Sequence, residues 1–590
     1  MQKRLTRRIL SLVIGAVLMP WGLAAAQETP HDTQQRAAAS STTEAKAGGA
    51  TSQDEIALLK KQLSQQQTQI DQLLRSLQQM KERLDGPSRA ATQEAAGTAP
   101  AGQVASLAPV IPSGTLAAAP TINPPDKQQV ASLVPPTLGT SAVAAPAASP
   151  QEGEEVSPLQ LRVGGASITP IGFMDFTSVY RSHDTGNGIG TSFGSIPYGG
   201  STYTDNLHEF RESMQNSRVG FRVDADVVGA HVIGYMEADF LGNNPTNVAV
   251  SSNSNTMRSR LYWVDFQKGD FELLGGQTWS LITPGRAGIS PLPGDIFYSQ
   301  DMDVNYQAGL VWGRIPELRL VYHDPSRKWA FAFALDSPEQ YVGGSSGGGL
   351  ITFPAALATT YAGELNVGTN TIATPNVAPD VIAKFAADPI KQVHFEFGGV
   401  ERNFKVYNPT TAAKYSAEGG GLFANVNFEL FKGFRVLTNN FWSDGGGRYI
   451  FGQAPDLIAK ADGSVSLVHS SSTVSGFEYT HQNTLVFAYY GGIYVQRNTA
   501  IDATGKYVGY GYSGSPSGQN RFIQEPTFGF NQTFWKNPKY GAMSLIGQYS
   551  YVLRAPWSVA TGSPKDANLN MVFLDLRYTL PGSAPATHMK

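Results

Sequence analysis

The stretch Leu422-Phe423-Ala424-Asn425-Val426-Asn427-Phe428-Glu429-Leu430 decides the fold. Leu422, Ala424, Val426, Phe428 and Leu430 fall on one face; Phe423, Asn425, Asn427 and Glu429 fall on the other. Apolar and polar residues that alternate at period two describe a strand with one dry and one wet side. Arg218 to Asp226 repeats the pattern, with Val219, Phe221, Val223 and Ala225 opposite Arg218, Gly220, Arg222, Asp224 and Asp226. Such strands suit a wall between lipid and water. A soluble sandwich carries the same local pattern, so the connections have to discriminate.

Strand texture starts at Ser167, and the links alternate in length. Short turns fall at Val227-Val228-Gly229, Gln267 to Asp270, Asp324 to Arg327, Asp388 to Lys391, Phe431 to Gly433, His481 to Asn483 and Lys536 to Lys539. Between them lie Ser182 to Leu207, Leu241 to Thr256, Leu281 to Tyr306, Asp336 to Pro379, Asn408 to Ala417, Asp444 to Ser471, Arg497 to Asn520 and Ala555 to Lys565. Seven short and eight long links in strict alternation join sixteen strands. An outer-membrane barrel has an even strand number, short turns at one end and long loops at the other. A sandwich has no reason to collect every long loop at one end. The expectation is all-β, a sixteen-stranded antiparallel transmembrane barrel over residues 161–580.

The third long link follows Phe271 to Ser280 and contains Thr283-Pro284-Gly285-Arg286 and Pro291-Leu292-Pro293-Gly294-Asp295. Its prolines and glycines cannot continue a ladder. A stiff segment of this length must lie against something, and in a barrel the natural place is the lumen. The expectation is an inward-folded constriction loop.

Before the barrel the chain changes character three times. Lys3, Arg4, Arg7 and Arg8, the apolar run Ile9 to Met19 and Ala24-Ala25-Ala26 make residues 1–26 a signal peptide. After a disordered segment, 27–52, Ile56, Leu59, Leu63, Gln66, Ile70, Leu73, Leu77, Met80 and Leu84 alternate spacings of three and four. That is a heptad seam over 53–85, closed by Gly86-Pro87, with only copies of itself to bury against. Ile and Leu mix on both seam positions, so the number of strands in this coiled coil stays open. Residues 86–160 are an Ala/Pro/Ser-rich linker, and 581–590 a tail. Composition agrees with a membrane barrel: 62 Gly, 24 Tyr and 29 Phe, no Cys, a net charge of -3 and 15% charged residues. Nothing in that balance points to nucleic acid, and there is no disulfide framework or thiol site.

The chain resembles the DcaP-like family of trimeric outer-membrane porins. The residues that carry the resemblance are Gly275-Gly276-Gln277-Thr278-Trp279-Ser280, Ala334-Leu335-Asp336-Ser337-Pro338-Glu339-Gln340 and Pro379-Asp380-Val381-Ile382-Ala383-Lys384. The order of signal, coiled coil, linker and barrel adds to it. The resemblance implies a homotrimer, diffusion of small anions and a preference for dicarboxylic or aromatic acids. One departure is the C-terminus: Leu574, Leu576, Tyr578 and Leu580 form the last apolar face, but Pro581 to Lys590 follow it.

A selective pore needs fixed charge where the lumen is narrow, because low-dielectric walls focus the field there. Arginine suits carboxylates through its bidentate fork. The candidates are Arg286 on the loop, Arg218 and Arg222 on the wet face of their strand, Arg258 and Arg260 in a strand of mixed parity, and Arg314, Arg402 and Lys405. Glu237, Asp239, Asp295, Asp301 and Asp303 supply the opposing acidic side. Each of these charges has an ordinary reading too, as a solvated or neighbour-paired lumen residue. Trp279 reads as packing. An enzyme is the competing class, but no Gly-x-Ser-x-Gly elbow stands between a strand and a helix and no histidine pair has metal-binding helical spacing, so no catalytic residue, metal or cofactor is expected. The expected function is passive diffusion of small anions through an outer-membrane porin, with the coiled coil in the periplasm. Its alternatives are a general diffusion pore and an envelope tether that reaches peptidoglycan through the coiled coil.

Overall fold

The computed structural model describes residues 157–582 apart from 201, 246–248, 298–299 and 369–373. The expected signal peptide, coiled coil, nearly all of the linker and most of the tail lie outside the described residues.

The strands are β1 (Ala166–Arg181), β2 in two pieces (Glu209–Ser213 and Arg218–Val227), β3 (Ala230–Asp239), β4 (Arg258–Lys268), β5 (Phe271–Trp279), β6 (Arg314–His323), β7 (Trp329–Asp336) and β8 (Asp380–Ile390). They continue with β9 (Val393–Asn408), β10 (Ala413–Phe431), β11 (Phe434–Asp444), β12 (His469–His481), β13 (Thr484–Val495), β14 (Asn520–Asn537), β15 (Gly541–Pro556) and β16 (Ala567–Thr579). Every neighbour in sequence pairs antiparallel, and β16 pairs with β1 from Phe173↔Thr579 to Arg181↔Met571. The sheet is therefore a closed barrel of sixteen strands. Closure satisfies every ladder without an open edge, the condition for crossing a membrane with strands. The short strand Leu161–Val163 pairs with the start of β1.

Parity runs as the alternation requires. On β10, Leu422 is 67% exposed on the outside, while Phe423, Asn425 and Asn427 are buried inside. On β2, Val219 and Phe221 are exposed outward. The inward positions mix polar and charged side chains with apolar ones that pack against loops folded inside.

Two irregularities matter for the site. In the break of β2, Ser217 accepts the Asp175 N–H through Oγ at 3.0 Å and Asn216 Nδ2 donates to Asp175 Oδ2 at 2.5 Å, so side chains replace the missing ladder bonds. On β4, Leu261 pairs with Glu237 but Ser259 pairs with Ala238. The extra residue is a β-bulge, and it explains the mixed parity in the sequence: Arg260 is the inserted residue.

All seven expected short turns are present. One expected long link is not: Asn408 pairs directly with Ala413, leaving only residues 409–412 between β9 and β10. Polar, Thr-rich sequence reads as loop, but cross-strand pairing carries both strands beyond the wall. The third long loop, L3, runs over residues 280–313, past the expected end at Tyr306.

Candidate constriction site

The wall of β2, β3, β4 and β6 presents four arginines around two carboxylates. Arg260 is 2% exposed and saturated: Nε donates to Glu237 at 2.8 Å, Nη1 to Asp239 at 2.7 Å and Nη2 to the Tyr306 hydroxyl at 3.1 Å. Arg258 donates from Nη2 to Asp239 at 2.8 Å. Arg218 lies 3.7 Å from Glu237, with its guanidinium 5.1 Å from the Phe173 ring. Arg314 differs from these. Among the described residues no carboxylate reaches it. Its guanidinium lies 5.6 Å from the Trp279 ring and 5.9 Å from that of Trp312, and Nη1 is buried without a hydrogen bond. Four guanidinium groups against two carboxylates leave the wall net positive. The Arg258 and Arg218 side chains keep 39% and 16% of their surface, so they show charge to lumen water. Burial works to raise the Tyr306 hydroxyl, but Arg260, Arg218 and Arg314 outweigh it and hold it below its ordinary value.

L3 closes on this wall from inside. It is rooted between β5 and β6, yet its bonds go to distant strands. Lys384 Nζ of β8 donates to Thr283 O at 2.7 Å, and the Gly285 N–H to Glu396 of β9 at 3.0 Å. Arg286 makes a two-pronged pair with Glu478 of β12 at 2.7 and 3.0 Å. The Ala308 N–H donates to Glu525 of β14 at 2.7 Å and the Met302 N–H to Gln548 of β15 at 2.6 Å. A loop reaches that set of strands only by crossing the lumen. Its apolar residues do the same: Ile296, Phe297, Tyr306 and Leu310 pack between Ile233 and Trp263 on one wall and Leu437, Val474 and Phe487 on the other. Trp279 is 2% exposed, edge-on to Phe297, Tyr306 and Trp312, which makes it a packing residue. Between L3 and the short-turn rim remains a cavity of about 460 Å3, lined by Asp265, Glu272, Arg286, Asp295, Asp388 and Lys391 among others.

The remaining candidates sit apart. Arg222 pairs with Asp224 on its own strand at 2.8 Å. Arg402 is fully buried, 3.0 Å from Asp380 and 2.9 Å from Asp456, and ties the loop between β11 and β12 to β8 and β9. The Lys405 backbone N–H donates to Gln340. Asp295 lies in one turn of 3-10 helix on L3, where its carbonyl accepts the Arg286 N–H at 2.8 Å. Asp303 accepts the backbone N–H groups of Thr191 and Asn305. Burial, and then the charge of Asp303, push the Asp301 carboxyl up to about 8. The acids Asp301 and Asp303 therefore lie on L3 toward β14 and β15, while Glu237 and Asp239 stand within the arginine row itself. Sequence reasoning missed Lys384, Glu396 and Glu478, which hold L3. All three sit at inward positions of their strands, so parity was the signal available.

No protein-family model matches the chain, and no curated protein matches it. Among solved structures, the outer membrane channel DcaP of Acinetobacter baumannii superposes with a TM-score of 0.51 at 16% identity, covering 70% of this chain and 98% of that one. The fold is that of the DcaP channel. An anion-selective porin from Comamonas acidovorans has a TM-score of 0.40 at 11% identity, over 70% of this chain and 100% of that one. OmpF of Salmonella typhi, in complex with daunomycin, has 0.38 at 9%, over 71% and 100%. The shared DcaP fold accounts for 70% of the chain, close to the share that the barrel occupies. It leaves the charges inside the barrel to be argued from their own geometry.

Proposed function

We propose that the protein is a passive outer-membrane channel for small anions, with dicarboxylic and aromatic acids as its preferred solutes. The observation that carries this reading is Arg314, a half-buried arginine beside two indoles with no carboxylate in ion-pair reach among the described residues, next to a loop that crosses the lumen. An anion entering a narrow lumen gives up part of its hydration, and an arginine fork returns two hydrogen bonds to a carboxylate. Arg258 and Arg218, still in contact with lumen water, raise the local anion concentration. Glu237 and Asp239 hold Arg260 and Arg258 in place and keep the site from binding too tightly for release. No residue is assigned a catalytic part and no cofactor is invoked. In this reading the heptad seam of residues 53–85 holds copies of the chain together in the periplasm, as a trimer.

The test is the zero-current potential of the purified protein in a planar bilayer under a potassium chloride gradient, followed by addition of a dicarboxylate. Anion preference with concentration-dependent block is expected. A large, unselective and unblocked current makes it a general diffusion pore. Absence of any current overturns the channel reading.

A further inference from the structure

The loops at the long-loop end do more than rim the barrel. L4, residues 337–379, is rooted between β7 and β8; L1, 182–208, between β1 and β2; L6, 445–468, between β11 and β12; and L7, 496–519, between β13 and β14. Six strands, β2 to β7, separate the roots of L1 and L4, and six, β8 to β13, separate L4 from L7. With strands about 4.8 Å apart and tilted about 40°, a barrel of this strand number is roughly 32 Å across, and a chord over six strands is roughly 30 Å. These loops nevertheless meet, and they meet at one glycine run.

Gly347, Gly348 and Gly349 of L4 lie against Gly194 of L1, Gly452 of L6 and Gly518 of L7 respectively. A Cβ on Gly348 would overlap the Gly452 carbonyl oxygen, and one on Gly349 that of Gly518, so only backbone fits. The contact is tied in place. The Tyr341 hydroxyl donates to the Gly452 carbonyl at 2.8 Å, Gln453 Nε2 to Ser346 O at 2.5 Å and Gln519 Nε2 to Leu350 O at 2.9 Å. Thr352 of L4 pairs its backbone with Gly509 of L7. Beneath the run, Phe193 of L1 meets Phe451 of L6 at 6.1 Å, and Phe451 stacks on Trp312 at the end of L3.

We propose that residues 343–349 of L4 are the keystone of a second constriction, a rigid arch across the long-loop mouth that sets the size of solute admitted. L3 and its arginines set the charge preferred. The division follows from the chemistry of the two places: the glycine run itself is backbone tied by amide and hydroxyl groups, and the charges beside it, Asp456 and Arg554, are spent on backbone groups of the loops. The inference rests on the channel reading and adds a separable property to it.

The experiment compares the wild type with a chain lacking residues 344–348 and with Ser346→Cys. The chain has no cysteine of its own, so a thiol reagent reports on that site alone. Single-channel conductance and the uptake of neutral sugars of increasing size by proteoliposomes are the readouts. The deletion should raise conductance at least twofold and admit sugars that the wild type excludes, while leaving the sign of ion selectivity unchanged. A bulky alkylthio group, transferred to the thiol of the Ser346→Cys chain from a methanethiosulfonate with release of methanesulfinate, should cut conductance by half or more. A wild type that does not conduct, beside a deletion that does, would also support the arch while counting against an open channel. Unchanged conductance and unchanged sugar cut-off in both variants would overturn the proposal. It is overturned as well if Ser346→Cys folds, is labelled and conducts normally while the deletion fails to fold.

Discussion

Arg314 and Arg260 are two guanidinium groups around one indole, Trp279, and they have opposite circumstances. Arg260 spends its donors on Glu237, Asp239 and Tyr306; Arg314 has a buried Nη1 without a hydrogen bond, and its charge acts on a solute through the field. A unit charge about 6 Å from a passing anion is worth roughly 2–3 kcal/mol at an effective dielectric of about 20, less after screening by salt. Replacing Arg314 by Gln should therefore lower the anion-to-cation permeability ratio several-fold and weaken dicarboxylate block. An unmoved reversal potential would remove Arg314 from the filter. Asp301 adds a pH dependence. Its carboxyl, pushed up to about 8, is neutral below that pH and negative above it. Anion preference should fall as pH rises through about 8, and Asp301→Asn should abolish that step. A pH-independent wild type between pH 6 and 10 would show that Asp301 does not act on the pore.

At the scale of the element, L3 is held by charge at its start and by apolar packing at its middle. The bond of Arg286 to Glu478 is buried at both ends, 8% and 0% exposed in side chain. Removing one partner of such a pair leaves the other buried and uncompensated, a loss of about 3–5 kcal/mol. Arg286→Ala should release the first part of L3, seen as larger open-channel noise and a lower midpoint of unfolding in detergent. Quiet channels with wild-type stability would mean that Lys384 and Glu396 hold the loop without it. Arg286 thus serves the pore as an anchor of the loop, and its charge is already neutralised by Glu478. The same holds for Arg402, whose two carboxylates fix L6 far from the arginine wall. Mixed parity in β4 has its physical cause at this scale too, since one bulged residue lets Arg258, Arg260 and Leu261 serve the interior in succession.

For the whole molecule, the barrel closes its own ladder and needs no partner to satisfy its backbone, whereas the proposed coiled coil of residues 53–85 would bury its seam against another copy. Deleting residues 53–85 should therefore leave conducting barrels while weakening the oligomer in mild detergent; an oligomer of unchanged resistance to heat would place the contacts that hold it in the barrel wall. The strand number, the inward and outward faces, the seven short turns and the inward fold of L3 were legible in the chain, because period two, turn chemistry and proline are local properties that no distant contact revises. The charges inside were legible only as candidates. Arg286 meets Glu478 from 192 residues away, and Arg402 meets an acid on another loop. No local rule names such partners, and burial, which turns a charge from a filter into an anchor, is a property of the closed barrel. Sequence alone determined a sixteen-stranded wall with a loop turned inward; only the tertiary structure decided which of the candidate arginines has no ion pair among the described residues, because pairing depends on where strands far apart in the chain come to face each other.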